Sequence, residues 1–264
     1  MGSVERASVK VPGIEVRHCR GLAEYELCVE LERQTWGEAI LVPAGLFVVA
    51  IETGGQVLGA FSGGRLIGFT MALAGVHAAR PFIHSHMTAV VPEFRDRGVG
   101  RMLKLKQRED ALERGFELVE WTFDPLELKN AHFNLVRLGA IVRRFIPNCY
   151  GITHAALHGD LPTDRLVAEW WLRSPRVEAI LAGKRPSTGK NAERVRVPAN
   201  IGEIKSGDPE GAARIQRVLR EEFQRRLQSG YAVTGIERTS EWDEYVLEPV
   251  KEIEALGRIG LEKH

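Results

Sequence analysis

The sequence predicts an α/β protein of mixed α+β type organised around a mixed sheet, and three observations carry that prediction. Short apolar runs rich in β-branched residues alternate with stretches whose apolar residues recur at helical spacing. No unit of about 20–50 residues repeats, which excludes a solenoid. The composition, 44% hydrophobic and 27% charged over 264 residues, supplies apolar side chains enough for a core and excludes a disordered chain.

Taken in order, Ile14–Cys19 reads as a strand and Leu22–Trp36 as a helix, with Leu22, Tyr25, Val29 and Trp36 on one side. Pro43–Glu52 is ambiguous between a helix and a buried strand. The two apolar runs QVLGAFS and RLIGFTMALAGV, split by Ser62-Gly63-Gly64, read as a hairpin. Phe82–Val91 is a β-branched strand ended by Pro92. Val99–Phe116 follows as a helix, carrying Met102, Leu105, Leu112 and Phe116 at helical spacing and closing at Gly115. Leu118–Pro125 is a strand stopped by Asp-Pro. Asn130–Leu138 is a short helix stopped by Gly139, and Ala140–Ile146 is a further strand.

The composition then shifts. From Gly151 to about Arg196, Pro, Gly, Ser and His recur around one expected helix, Thr163–Ala182, with Leu166, Val167, Trp170 and Trp171 on one face. GKRPSTGKNAE (183–193) is a polar linker or flap. A smaller α+β piece closes the chain: a VRV strand, the helix Pro209–Gln228, and strands YAVTGIER and EYVLEP. The expected division is therefore 1–154 and 155–264.

Charge and cysteines exclude several classes. With 36 Lys+Arg against 35 Asp+Glu, the formal charge of +1 does not suit bulk gripping of nucleic acid or anionic membrane. The arginines of the late helix are interleaved with Glu221 and Glu222, as on a solvated face. Three cysteines without a CxxC pair fit neither a disulfide scaffold nor a standard zinc module, so no metal is expected. The N-terminal stretch MGSVERASVK lacks the apolar core of a signal peptide. The run Ala39–Ile51 is too short to span a bilayer, and a cytoplasmic protein is the expectation.

One window carries chemistry. FIHSHMTAVVPEFRDRGVG (82–100) runs from a strand through Arg95-Asp96-Arg97-Gly98-Val99-Gly100 into a long helix. Two glycines permit a tight turn, and the first N–H groups of the helix point outward unbonded. The helix dipole and Arg95, Arg97 and Arg101 add positive charge, so a diphosphate is the natural occupant. A dinucleotide GxGxxG fails because Leu103 holds its third glycine position. A Walker A loop fails at 183–191, which has one residue too many and ends in Asn191.

The spacing Arg-x-x-Gly-x-Gly after a strand ending in Val-x-Pro instead resembles the acyl-CoA pyrophosphate loop of the GNAT acetyltransferases. The resemblance covers about residues 14–150. Within it, WTFDPLE (121–127), KNAHFN (129–134) and NCYG (148–151) are similar to a family of predicted acetyltransferases with an extra C-terminal region. It implies a GNAT fold with a C-terminal α+β extension and acetyl-CoA as cosubstrate. Backbone groups of Thr88, Val90 and Val91 would bond pantetheine. N–H groups at Arg97–Arg101, including Gly98, Val99 and Gly100, would hold the pyrophosphate beside Arg95, and Asn130 and Asn134 would face CoA.

His84 and His86, two apart on one strand, are expected on one face. Such a His-x-His pair relays the amine proton in arylalkylamine members; the alternative is a structural role inside the sheet. The family's usual tyrosine, four residues before the terminal glycine, is Leu135 here. Tyr150 and Cys149 are the nearest substitutes by sequence, with packing the alternative for Tyr150. Asp124, sharing a strand face with Glu120 and Thr122, is either a base or a cap of the loop before Pro125. Trp170 and Trp171 mark a packing face, an acceptor pocket or a homodimer contact.

The expected function is transfer of an acyl group, acetyl foremost, from acyl-CoA to a primary amine by direct attack. The alternative is a catalytically silent acyl-CoA sensor or assembly module, which Leu135 favours and the two histidines disfavour.

Overall fold

The computed structural model describes residues 13–38, 41–77, 79–152 and 161–254. The chain divides into two compact units, one running to Val119 and the other beginning at Glu120. The expected boundary at 154/155 lies outside the described residues.

The first unit comprises β1 (Ile14–His18), α1 (Gly21–Trp36), α2 (Ala44–Glu52), β2 (Gln56–Ser62), β3 (Arg65–His77), β4 (Arg80–Val90) and α3 (Val99–Glu113). Its strands pair in chain order, each antiparallel to the next. Gly63 and Gly64 form the two-residue β2–β3 turn with φ of 56° and 81°, the type I′ geometry whose twist suits a hairpin. The ambiguous segment after Pro43 is a helix. Phe47 and Ala50, three apart, are its buried residues, and Phe47 sits between Tyr25 and Phe69, with ring centroids 6.0 and 5.9 Å away.

In β4 the ladder slips by one residue. Thr70 pairs with Thr88 and Met71 with Met87, but Ala72 then pairs with Ser85. His86 is therefore the extra residue of a β-bulge, which bends the strand locally and re-aims its side chains.

β5 (Leu118–Phe123) carries the chain into the second unit. There follow α4 (Leu128–His132), a π-helical turn (Phe133–Arg137), β6 (Ile141–Ile146), β7 (Arg165–Trp171), α5 (Pro175–Leu181) and β8 (Glu193–Pro198). α6 (Ile201–Gly207), α7 (Pro209–Gln228), β9 (Tyr231–Arg238), β10 (Trp242–Pro249) and α8 (Val250–Glu254) complete it. The strands lie in the order β5-β7-β6-β9-β10-β8. α7 packs Phe223 against Phe145 and edge-on to Tyr245, and the Tyr245 hydroxyl donates to Pro125 O at 2.6 Å. Among the described residues, no helix is long and apolar enough to cross a membrane.

The helix expected over Thr163–Ala182 is not there. Its first half is β7, buried at all seven positions, and a strand covered on both faces reads as a continuous apolar run instead of an alternating one. Ser174 then caps α5, accepting from Val177 N–H, with Pro175 in the first turn. That combination starts a helix here and not earlier. Trp170 and Trp171 consequently face opposite ways. Arg143 and Arg144, neighbours on β6, both reach carboxylates, Glu169 at 2.6 Å and Glu120 at 2.7 Å.

Candidate functional site

In the first unit the loop between β4 and α3 is shaped by its own backbone. Val91 and Pro92 anchor a 3₁₀ turn through Phe94, with Phe94 N–H on Val91 O and Arg95 N–H on Pro92 O. Arg95 Nε donates to Val90 O at 3.0 Å. Asp96 and Gly98 then both adopt left-handed conformations, with φ of 57° and 83°, and α3 opens at Val99. Its first backward hydrogen bond runs from Met102 N–H to Gly98 O. The N–H groups of Val99, Gly100 and Arg101 precede that bond and belong to the open first turn.

A Cβ at Gly98 or at Gly100 would meet no atom within 4 Å. Neither glycine is therefore dictated by tight packing. Gly98 serves the left-handed turn, whereas a side chain at Gly100 would fill the space over the helix start. Arg95 and Arg97 are exposed beside it, and the Arg97 guanidinium lies 5.5 Å from the Phe94 ring centroid. The residues present fit a diphosphate: bare backbone, an open helix start and added positive charge.

The three expected pantetheine contacts on β4 divide. Val91 N–H donates to Ile67 O at 3.0 Å, so this group already belongs to the β3 ladder, correcting the expectation for Val91. In an antiparallel strand the backbone groups alternate between edges, which turns those of Thr88 and Val90 to the other side. The Thr88 hydroxyl meets Thr70 Oγ1 at 2.8 Å, and Thr70 Oγ1 donates to Met87 O.

His84 and His86 do come together, with ring centroids 6.1 Å apart, but through the bulge and not by simple alternation. His84 is half-buried. His86 is exposed at its surface, yet desolvation by the surrounding protein still lowers its imidazole below the ordinary histidine value. A proton acceptor that stays neutral at and below neutral pH is the chemical result.

Sequence reasoning missed Lys104. It lies on α3, 4% exposed, and Nζ donates to Ser85 Oγ at 2.9 Å and Gln107 Oε1 at 2.8 Å. Burial pulls its pKa down to about 7. Ser85 stands on β4 between the two histidines, so this lysine braces the bulge from the helix side. The apolar rhythm used to read α3 passes over Lys104, Gln107 and Arg108, which are buried alongside Met102 and Leu103.

In the second unit the candidates form another group. Asp124 Oδ1 accepts from Leu126 N–H at 2.8 Å, and its backbone carbonyl accepts from Glu127 N–H, the geometry of a turn cap. Its other oxygen lies 3.9 Å from Arg165. The half-exposed Tyr150 places its hydroxyl 3.0 Å from Thr122 Oγ1, with the Arg165 guanidinium 5.5 Å from its ring centroid. Arg165 thus links Asp124 to Tyr150. Cys149 acts through its backbone, N–H to Thr163 O.

Asn130 is exposed on α4, whereas Asn134 is buried in the π turn with no hydrogen-bond partner for Nδ2. Leu135, beside it, is fully buried. A π turn of this kind adds a residue to a helix and is frequent at functional sites.

The model of the acetyltransferase (GNAT) family matches residues 22–139. Among solved structures, smu.2055 from Streptococcus mutans UA159 is 16% identical, with a TM-score of 0.50 over 60% of this chain and 99% of that one. The ribosomal-protein-S18-alanine N-acetyltransferase from Escherichia coli is 14% identical, with a TM-score of 0.48 over 67% of this chain and 97% of that one. Ard1 from Thermoplasma volcanium is also 14% identical, with a TM-score of 0.47 over 60% and 96%. No curated protein matches the sequence. At 16% identity the likeness to smu.2055 is one of fold.

Proposed function

We propose that this chain, whose residues 22–139 match the model of the acetyltransferase (GNAT) family, transfers an acyl group, acetyl foremost, from acyl-CoA to a primary amine. The observation that carries this reading is the cradle at the start of α3, where Gly98 and Gly100 leave open space beside Arg95 and Arg97. Backbone N–H groups at Val99–Arg101 would hold the pyrophosphate. Thr88 and Val90 would hydrogen-bond the pantetheine arm along β4.

Acyl transfer forms one C–N bond, breaks one C–S bond and moves one proton from the amine to the leaving sulfur. His84 and His86 are suited to receive the amine proton, directly or through water, and a strand N–H near the bulge would stabilise charge on the carbonyl oxygen. Asp124 serves in this reading as a turn cap. Most of the acceleration would come from positioning.

His86→Ala is expected to lower kcat by about 100-fold, within the range typical of lost acid–base catalysis. Because its pKa lies below the ordinary value, the acid limb of kcat/KM in the parent should fall below pH 6.5. A pH–rate profile checks both statements.

A second reading, binding without catalysis, is favoured by one observation: Leu135, where a proton-donating tyrosine is usual, is fully buried. Calorimetric titration with acetyl-CoA and CoA separates the readings when followed by thiol-release assays over an amine panel. We expect micromolar binding in the parent and its loss in Gly98→Glu and Gly100→Glu. Absence of binding in the parent would sink both readings, and binding without turnover would select the sensor.

A further inference from the structure

A bulge can sit on more than one residue, and in β4 the ladder itself does not choose. Leu73 pairs with His84, Ala72 with Ser85 and Met71 with Met87, which leaves His86 extra. Moving the bulge back by one residue would change a single pair. Ala72 would face His86, Ser85 would become the extra residue, and every other partner would stay. What differs is the side chain sent towards α3. Opposite Ala72 it lies under the helix, as Ser85 does; at the extra position it reaches the surface, as His86 does.

Side chains therefore decide. α3 packs across β3 and β4, and from it Lys104 Nζ donates to Ser85 Oγ at 2.9 Å and to Gln107 Oε1 at 2.8 Å. Lys104 and Ser85 are each 4% exposed, so the bond is made out of reach of water, where a lost partner is not replaced by solvent. In the shifted arrangement the hydroxyl held by the lysine is carried to the surface, and a larger ring enters a close-packed seam. The opposite move, onto Met87, meets a second pin. Thr70, fully buried, donates from Oγ1 to Met87 O at 3.0 Å, and the Met87 side chain packs on the apolar core. His86 is extra because both of its neighbours are held.

We propose that Lys104 is a positioning residue for the candidate site: through Ser85 it selects His86 as the extruded residue of β4, and so keeps the imidazole beside His84 and open to an acceptor amine. This rests on the acyl-transfer reading above, in which the two histidines receive the amine proton. Lys104 acts through Ser85 and not on the reacting atoms. Its contribution is a choice between two registers, of which one presents the ring and the other buries it.

The test compares the full-length parent with Lys104→Met, which removes the donor at similar length, and with Ser85→Ala, which removes one oxygen. Cross-strand NOEs read the register: Ala72 to Ser85 alone in the parent, and a second set, Ala72 to His86, in each variant. With acetyl-CoA and an amine that the parent turns over, kcat should fall by the same factor as the population of the parent register, at least about threefold. KM for acetyl-CoA should stay within about twofold, because the cradle at Gly98 and Gly100 is untouched. Both substitutions together should cost no more than either alone, since they remove one bond.

A single, parent-like register in both variants would overturn the proposal, and so would a shifted register with unchanged kcat. Additive losses would overturn it as well, by making Lys104 and Ser85 independent packing residues. If the parent turns over no amine, the acyl-transfer reading fails, and the NOEs still decide whether Lys104 sets the bulge. Should Lys104→Met not fold, Ser85→Ala breaks the same bond from its other end.

Discussion

Lys104 and His86 stand on two sides of one bulge, and burial acts on both in the same direction, towards the neutral form. For Lys104 this is a statement about stability. Its pKa is about 7 in the folded chain against 10.5 for an exposed lysine, so between those values the unfolded chain binds more protons than the folded one. Stability must then rise with pH across that window. From pH 7 to 9 the gain is about 2 kcal/mol, at roughly 1.4 kcal/mol per pKa unit. Lys104→Met should flatten this slope, which urea midpoints at the two pH values would measure. The cradle glycines and arginines were legible in the sequence because phosphate binding needs a short contiguous pattern. The lysine was not, because a charge inside a helix reads as solvated unless its partners, Ser85 and Gln107, are already in place.

At the scale of elements, period served where one face is solvated and failed where none is. α1 was readable from its spacing. β7 was not: Leu166, Val167, Trp170 and Trp171 satisfy a helical stripe and a doubly covered strand equally well. The strand geometry gives Trp170 its own role, fully buried, with Nε1 donating to Leu138 O at 2.8 Å and its ring edge-on to Trp121. Trp170→Ala should cost about 3–5 kcal/mol, as expected for a large aromatic removed from a core, and denaturant unfolding would show it. The π turn was equally hidden. Nothing in LKNAHFNLVRLGA marks the extra residue, and only the hydrogen bonds from Leu138 N–H to Phe133 O and from Ala140 N–H to Asn134 O reveal it.

For the whole molecule, the compositional boundary and the structural one report different things. Composition changes where the family resemblance ends. Contacts change at Val119, inside it. β6 (141–146) is hydrogen-bonded to β7 (165–171) and reaches β9 (231–238), so the later segment supplies both neighbours of that strand. A fragment 1–154 would leave β6 with two open edges, a recognised route to aggregation. We expect it to show no cooperative unfolding transition where the full chain does, as circular dichroism during heating would report. The later segment thus completes the sheet on both sides of β6, and a boundary cannot be chosen from composition alone.

The slip in β4 also bears on how this gene can change. Ala72 pairs with Ser85 and Met71 with Met87, so an in-frame loss of the codon for His86 closes the ladder and leaves every other pair as it is. Loss of the codon for Ser85 or Met87 also closes the ladder, but seats His86 in the vacated pair opposite Ala72 or Met71. Heredity can therefore erase this histidine while sparing the sheet, and under the role proposed for His86 a lineage that no longer needs the chemistry has a one-codon path to a folded, silent descendant.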